Sequence, residues 1–242
     1  MSNSSVRKLD RESAGLTAAS TGSRAAVRRW AWLGLVAQAV FLASWLVAAS
    51  WQGPRYSVLA HTISDMSAVT APHGEFLVVV LTLCGAATMG FALRSVWPTL
   101  RTGGWRASTG AVLLTLSIVG LGDLLSPAER LACRMADPGC TPTQQLSNTG
   151  GQLDNAISSI GLLLLVIAAF FLAAAMRRTH GWQNWARPTR WTAVLITAFA
   201  VASVLTQDAG YTGLFERLVA VTGAVTLAVL AIGILRRTRG TS

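Results

Sequence analysis

Apolar residues in this chain gather into six runs of membrane length with polar connections between them: Trp30 to Trp51, Phe76 to Trp97, Ser108 to Ser126, Leu153 to Met176, Trp191 to Gln207 and Arg217 to Leu235. A helix rising about 1.5 Å per residue needs roughly 20 apolar residues to cross about 30 Å of hydrocarbon. Each run is close to that length, the fifth being the shortest. Trp30, Trp51, Trp97 and Trp191 stand at run ends, where an indole anchors at the headgroup level. The pattern predicts an all-α integral membrane protein. A bundle of six transmembrane helices over 30–235 is expected between a disordered basic tail (1–29) and a basic C-terminal tail (236–242).

Composition agrees with lipid as the main solvent. Only 12% of the 242 residues are charged and 52% are hydrophobic, against about 25% charged in an average soluble domain. Arg28 and Arg29 precede the first run and Val47, Ala48 and Ala49 faintly resemble a signal cleavage site. The length of that run and the five that follow favour an uncleaved first helix.

The net charge of +10 raises the question of nucleic acid. The positions of the charges answer it differently. Sixteen of the 20 Lys and Arg residues fall in the two tails and in the second and fourth connections with their flanks, leaving Arg55, Arg130, Arg134 and Arg217 for the others. Retention of basic loops on the cytoplasmic side then places both termini in the cytoplasm. With no nucleic-acid motif beside the charge, nucleic acid is not an expected partner. The acids divide the opposite way. Asp10 and Glu12 are inside, while Asp65, Glu75, Asp123, Glu129, Asp137, Asp154, Asp208 and Glu216 lie in outer loops or at outer helix ends.

Cys133 and Cys140 share the third loop, on the side where disulfides persist, flanking the turn-forming Asp137-Pro138-Gly139; a bridge between them is expected. Cys84, inside the second run, reads as a packing residue. Ala86 and Gly90, with Gly120 and Gly122, allow close helix approach, within the chain or toward a second copy or a membrane partner subunit.

The outer polar residues carry the candidate chemistry. The stretch Tyr56-Ser57-Val58-Leu59-Ala60-His61-Thr62-Ile63-Ser64-Asp65-Met66, drawn as a short amphipathic helix, puts Leu59, Ile63 and Met66 on one face and Ser57, His61, Ser64 and Asp65 on the other. On that helix Asp65 would orient His61 as a general base. The plainer reading is that Ser and Asp cap backbone groups. Asp123, Asp154 and Asp208 stand near outer helix ends, and carboxylates there face either solvent or a polar site inside the bundle. Asn155, Ser158 and Ser159 extend the polar strip from Asp154. The candidate catalytic set is His61, Asp65, Asp123 and Asp154, and the candidate substrate-binding set is Tyr56, Ser64, Ser158 and Asp208. Glu216 and Arg217 open the last run and are read as pairing with Asp208 across the short turn around Gly210, an exposed pairing that contributes little. His61 and His73 are the outer histidines, while His180 falls on the other side, so no three-histidine zinc site is expected. Neither a metal nor a cofactor is called for.

The six-helix plan together with the Tyr56 to Met66 stretch resembles the bacterial membrane proteins catalogued as domain of unknown function 998, over roughly Trp30 to Leu235. The resemblance implies architecture and carries no reaction. Alkaline ceramidases and adiponectin receptors also hold Ser, Asp and His near one membrane face, but their three zinc histidines are missing here. Three functions follow as expectations: a membrane-embedded acid–base enzyme acting on a lipid or isoprenoid; a non-enzymatic lipid-binding or accessory subunit; and, more weakly, a transporter.

Overall fold

In a computed structural model the chain is described over residues 3–239, with side chains over 23–238. The remaining parts of the two expected tails lie outside the described residues. Among the described residues there is no strand. Six long helices make the fold: α1 (Asn3–Ala49), α2 (Gly74–Phe91), α3 (Trp105–Leu116), α4 (Thr149–Arg178), α5 (Gln183–Leu205) and α6 (Thr212–Arg239). A π-helical turn over Ala92–Val96 carries α2 on to Leu100. Five spans are long and apolar enough to cross a membrane, and a sixth results when α3 and the bent piece after it are taken as one.

Each helix packs on its neighbours in the chain, and α6 returns to α1, so the bundle closes into a ring. Polar pairs join adjacent helices: Gln38 donates to Thr88 at 3.0 Å in a buried bond between α1 and α2, and half-buried Thr192 meets Thr226 at 3.1 Å between α5 and α6. In hydrocarbon such bonds replace the water a soluble helix would use. The ring's outer surface is apolar, with Leu83, Trp191, Val204 and Leu205 all exposed. A water-soluble monomer rarely shows so much contiguous apolar surface, whereas a lipid-facing one must.

The third span is broken. α3 ends at Leu116, Ser117 turns to extended backbone (ψ 174°), and a π-helical turn over Ile118–Gly122 leads into Asp123–Leu125, bent by 40° from α3. The local sequence Ser117-Ile118-Val119-Gly120-Leu121-Gly122 favours this, since β-branched and glycine residues are weak helix formers. Backbone groups freed by the break find partners. The Ser117 carbonyl accepts from the amides of Gly120 (3.1 Å) and Gly122 (3.2 Å), and its hydroxyl donates to the Leu114 carbonyl (2.7 Å). That pairing is what allows non-helical backbone at membrane depth.

Two glycines hold the broken segment from either side. A Cβ on Gly85 of α2 would collide with the Leu124 amide and lie 2.7 Å from the Gly120 carbonyl, and one on Gly161 of α4 would lie 2.7 Å from the Ile118 amide. The close approach expected at Gly90 is also present, but what it admits is the Trp30 ring of α1.

Because backbone cannot yield as a side-chain tip can, Gly161→Leu is expected to lower the unfolding midpoint of the detergent-solubilised protein sharply, with a loss on the order of 3 kcal/mol from overpacking. Gly223→Ala, where only the Leu165 side chain stands 3.8 Å from an added Cβ, is expected to leave the midpoint nearly unchanged.

Candidate functional site

The break matters because of what lies beside it. A cavity of about 120 Å³ opens inside the ring, bounded by Phe41 of α1, Leu81 of α2, the broken segment (Ile118, Val119, Gly122, Asp123, Ser126), Asp154, Ser158 and Leu165 of α4, and Glu216, Val219 and Ala220 of α6. The first loop contributes Ile63, Ser64 and Ser67, and the third loop Glu129. Four carboxyl groups therefore face one largely apolar chamber. Among the described residues no Lys, Arg, His or Cys lines it.

The first loop forms the roof, and its local structure differs from the expected amphipathic helix. Residues 58–60 make a turn, and the only helix is a single 3-10 turn, Ser64–Ser67. Side chains compete here with the helical ladder. The Ser57 amide donates to His61 Nδ1 (3.0 Å), the Thr62 amide to Asp65 Oδ2 (3.1 Å), and the Asp65 amide to the Thr62 hydroxyl (3.2 Å). Leu59 is consequently exposed, while Ile63 and Met66 are buried.

Two buried charged groups fasten this roof. Asp65 is fully buried, and its Oδ1 accepts from the Met135 amide (3.0 Å) and from Gln145 Nε2 (2.7 Å), tying the first loop to the third. Arg217 of α6 is 5% exposed and donates to the carbonyls of Val58 (2.8 Å), His61 (2.7 Å) and Gly213 (2.9 Å) and to the Tyr56 hydroxyl. Glu216 beside it accepts from the Ile63 amide at 2.9 Å. Farther round, Arg130 donates to the carbonyls of Ser67 and Ala68 and pairs with Glu75 (3.2 Å), and Arg134 pairs with Asp137 (2.6 Å). The Cys133–Cys140 bridge closes the third loop around the Arg134–Asp137 pair.

The expected site residues separate into two groups. Asp123, Asp154, Ser64 and Ser158 share the cavity, with Ser64 facing the Asp154 carboxyl. His61, Asp65, Tyr56 and Asp208 do not line it. Asp65 is spent on the roof, and no hydrogen bond joins it to His61 among the described residues, because the helix that would have stacked them four apart does not form. His61 lies at the loop tip against the Tyr56 ring, centroids 5.3 Å apart. Tyr56 donates to the Thr62 carbonyl while accepting from Arg217, and burial pushes its phenol up to about 12, so it stays protonated. Asp208 is exposed, as are Asn155 and Ser159 of the expected polar strip.

Glu129 and Glu216 were not among the expected site residues. Glu216 and Arg217 read as exposed partners of Asp208, yet one turns to the cavity and the Ile63 amide and the other to the loop carbonyls. Glu129 sits in a polar connection, where a carboxylate ordinarily meets water. Here it is 8% exposed, and Oε1 is buried with no hydrogen-bond partner among the described residues. Burial, and then the charge of Asp154, push its carboxyl up to about 7. A carboxyl titrating near neutrality both gives and takes protons under ordinary conditions.

Two outcomes follow from these groups. Replacing Asp65 by Asn sets an amide donor against existing donors, and should cost about 2–3 kcal/mol. Faster hydrogen exchange should accompany it at residues 62–67 and 133–136. For Glu129 the sign runs oppositely. Between about pH 4.5 and 7 the folded chain holds a proton that the unfolded chain has released, so this group makes stability fall as pH rises through that window. Glu129→Gln should therefore match the parent near pH 4.5 and melt at a higher temperature than the parent above pH 7, as thermal unfolding across that range would measure.

No curated protein and no solved structure matches the chain. A family model does match, over residues 35–233, which takes in every span from the first to the last. The chain belongs to the family described as Protein of unknown function (DUF998).

Proposed function

We propose that this protein is a membrane-embedded acid–base enzyme acting on a lipid or isoprenoid substrate at the extracytoplasmic end of its bundle, in the inner membrane of a bacterial cell. The observation that carries the reading is the chamber itself, in which Asp123, Glu129, Asp154 and Glu216 face one apolar space beneath a roof pinned by Asp65 and Arg217. The orientation rests on the excess of Lys and Arg at the opposite ends of the helices and on the disulfide, which persists on the oxidising side.

Glu129, poised near neutrality and without a hydrogen-bond partner on Oε1, is the group best suited to exchange a proton with substrate. Asp123 and Asp154 flank it as the second acid–base pair of positions, and Ser64 and Ser158 supply hydroxyls to orient a bound polar group. His61 and Asp65, expected as the base, take no part in this mechanism. Proton transfer is the chemistry these side chains offer by themselves.

A second reading, proton-linked transport, is favoured by one observation: the third span breaks directly against the carboxyl cavity, as discontinuous helices do at transporter sites. A binding or accessory subunit would use the same chamber without turnover.

Lipid extracts of a deletion strain separate these readings. The unaltered chain should restore the parental lipid profile, while Asp154→Asn and Glu129→Gln, expressed to equal levels, should leave one lipid species accumulated by roughly tenfold or more, as loss of an acid–base group does. Full restoration by both variants would sink the enzyme.

A further inference from the structure

Four carboxyl groups face one chamber whose wall, among the described residues, holds no Lys, Arg or His, and this sets its preference among ligands. Glu129 is only 8% exposed, lines the chamber, and leaves Oε1 without a hydrogen-bond partner among the described residues. Arg217, the nearest buried cation in sequence, is turned away onto loop carbonyls, and Arg130 is turned outward onto Glu75. An anionic group entering here would meet carboxyl groups and, among the described residues, no Lys or Arg on the wall to receive it. An ammonium group would meet several acceptors in surroundings where each contact is stronger than in water. A chamber of about 120 Å³ has room for a few waters or for one small headgroup.

A second cavity, of about 150 Å³, lies between α4, α5 and α6 and the end of α3. Its walls include Leu114, Leu172, Met176, Ile196, Leu227 and Leu230, and its few polar wall atoms come from threonines. Leu165 of α4 belongs to both cavities. From Leu165 to Met176 the helix rises ~16 Å. Leu165 thus borders both the acidic chamber and an apolar slot that follows α4 toward Met176.

We propose that the acidic chamber and the slot beyond Leu165 are the two halves of one site for a cationic amphiphile, a single hydrocarbon chain carrying an amine. The ammonium sits among Glu129, Asp154, Asp123 and Glu216, and the chain passes Leu165 into the slot. This rests on the reading of the chamber as a lipid site and adds the charge of its ligand. It excludes phosphate-bearing headgroups, whose charge the chamber repels.

The full chain in phosphatidylcholine nanodiscs tests this directly, with unfolding followed by tryptophan fluorescence as dodecylammonium, dodecanol, dodecyl phosphate or butylammonium is added. Dodecylammonium is expected to raise the midpoint in a saturable way, and butylammonium to need roughly tenfold more or beyond for want of the buried chain. Dodecanol and dodecyl phosphate are expected to leave it unmoved. Glu129→Gln should weaken both ammonium probes, whereas Leu165→Trp should weaken only the long one. The comparison of probes on the unaltered chain decides the matter even if a variant fails to fold. Equal stabilisation by dodecanol would overturn the cation preference while leaving the lipid site standing. No response to any of the long-chain probes would overturn both.

Discussion

The broken third span is the constraint on which the rest of this molecule depends. A straight helix from Trp105 would carry Asp123 onward along its own axis. The turn at Ser117 instead brings Asp123 and Ser126 to the cavity wall and leads the chain to Glu129. It is tolerated at membrane depth because Ser117 supplies both a hydroxyl donor and a doubly used carbonyl. It stays where it is because Gly85 and Gly161 let α2 and α4 press on its backbone from both sides. Neighbouring helices thus replace the regularity that the segment gives up, as packed interiors with discrete arrangements do.

Above the break the roof is ordered by buried charged groups as well as by the apolar burial of Ile63 and Met66. Removing Asp65 and Arg217 from water is costly, and the cost is met only by good geometry around each. Asp65 takes three donors from two loops, and Arg217 reaches three carbonyls and a hydroxyl. Both are acceptor or donor hubs rather than partners of each other, and each ties residues far apart in sequence. Their role also explains why Glu216 remains available to the chamber: its neighbour Arg217 is committed to the loop.

Much of the architecture was readable from the chain alone. Runs of apolar residues near 20 long have few alternatives to helices in lipid: the second, fourth and sixth expected spans fall within those observed, the other three overrun the observed ends by one or two residues, and α5 begins earlier, at Gln183. The pairing of Cys133 with Cys140 was also visible, because two cysteines seven apart around a Pro-Gly turn have a short path to each other. Asp123, Asp154, Ser64 and Ser158 were noticed because a polar residue inside or beside an apolar run is conspicuous. Glu129 and Glu216 had no such contrast, each standing among polar neighbours in a connection or at a helix start. His61 and Asp65 misled for the opposite reason, since an i, i+4 pairing presumes a helix, and the loop's own side chains dismantled it.

By itself, then, the sequence determined which segments are helical and apolar, because hydropathy and length are local properties that lipid tests one span at a time. Only the tertiary structure decided which carboxyl groups meet. Convergence depends on the bend at Ser117, on glycine contacts between helices distant in sequence, and on how two buried charged side chains fold a loop over the bundle. None of these leaves a periodic trace along the chain.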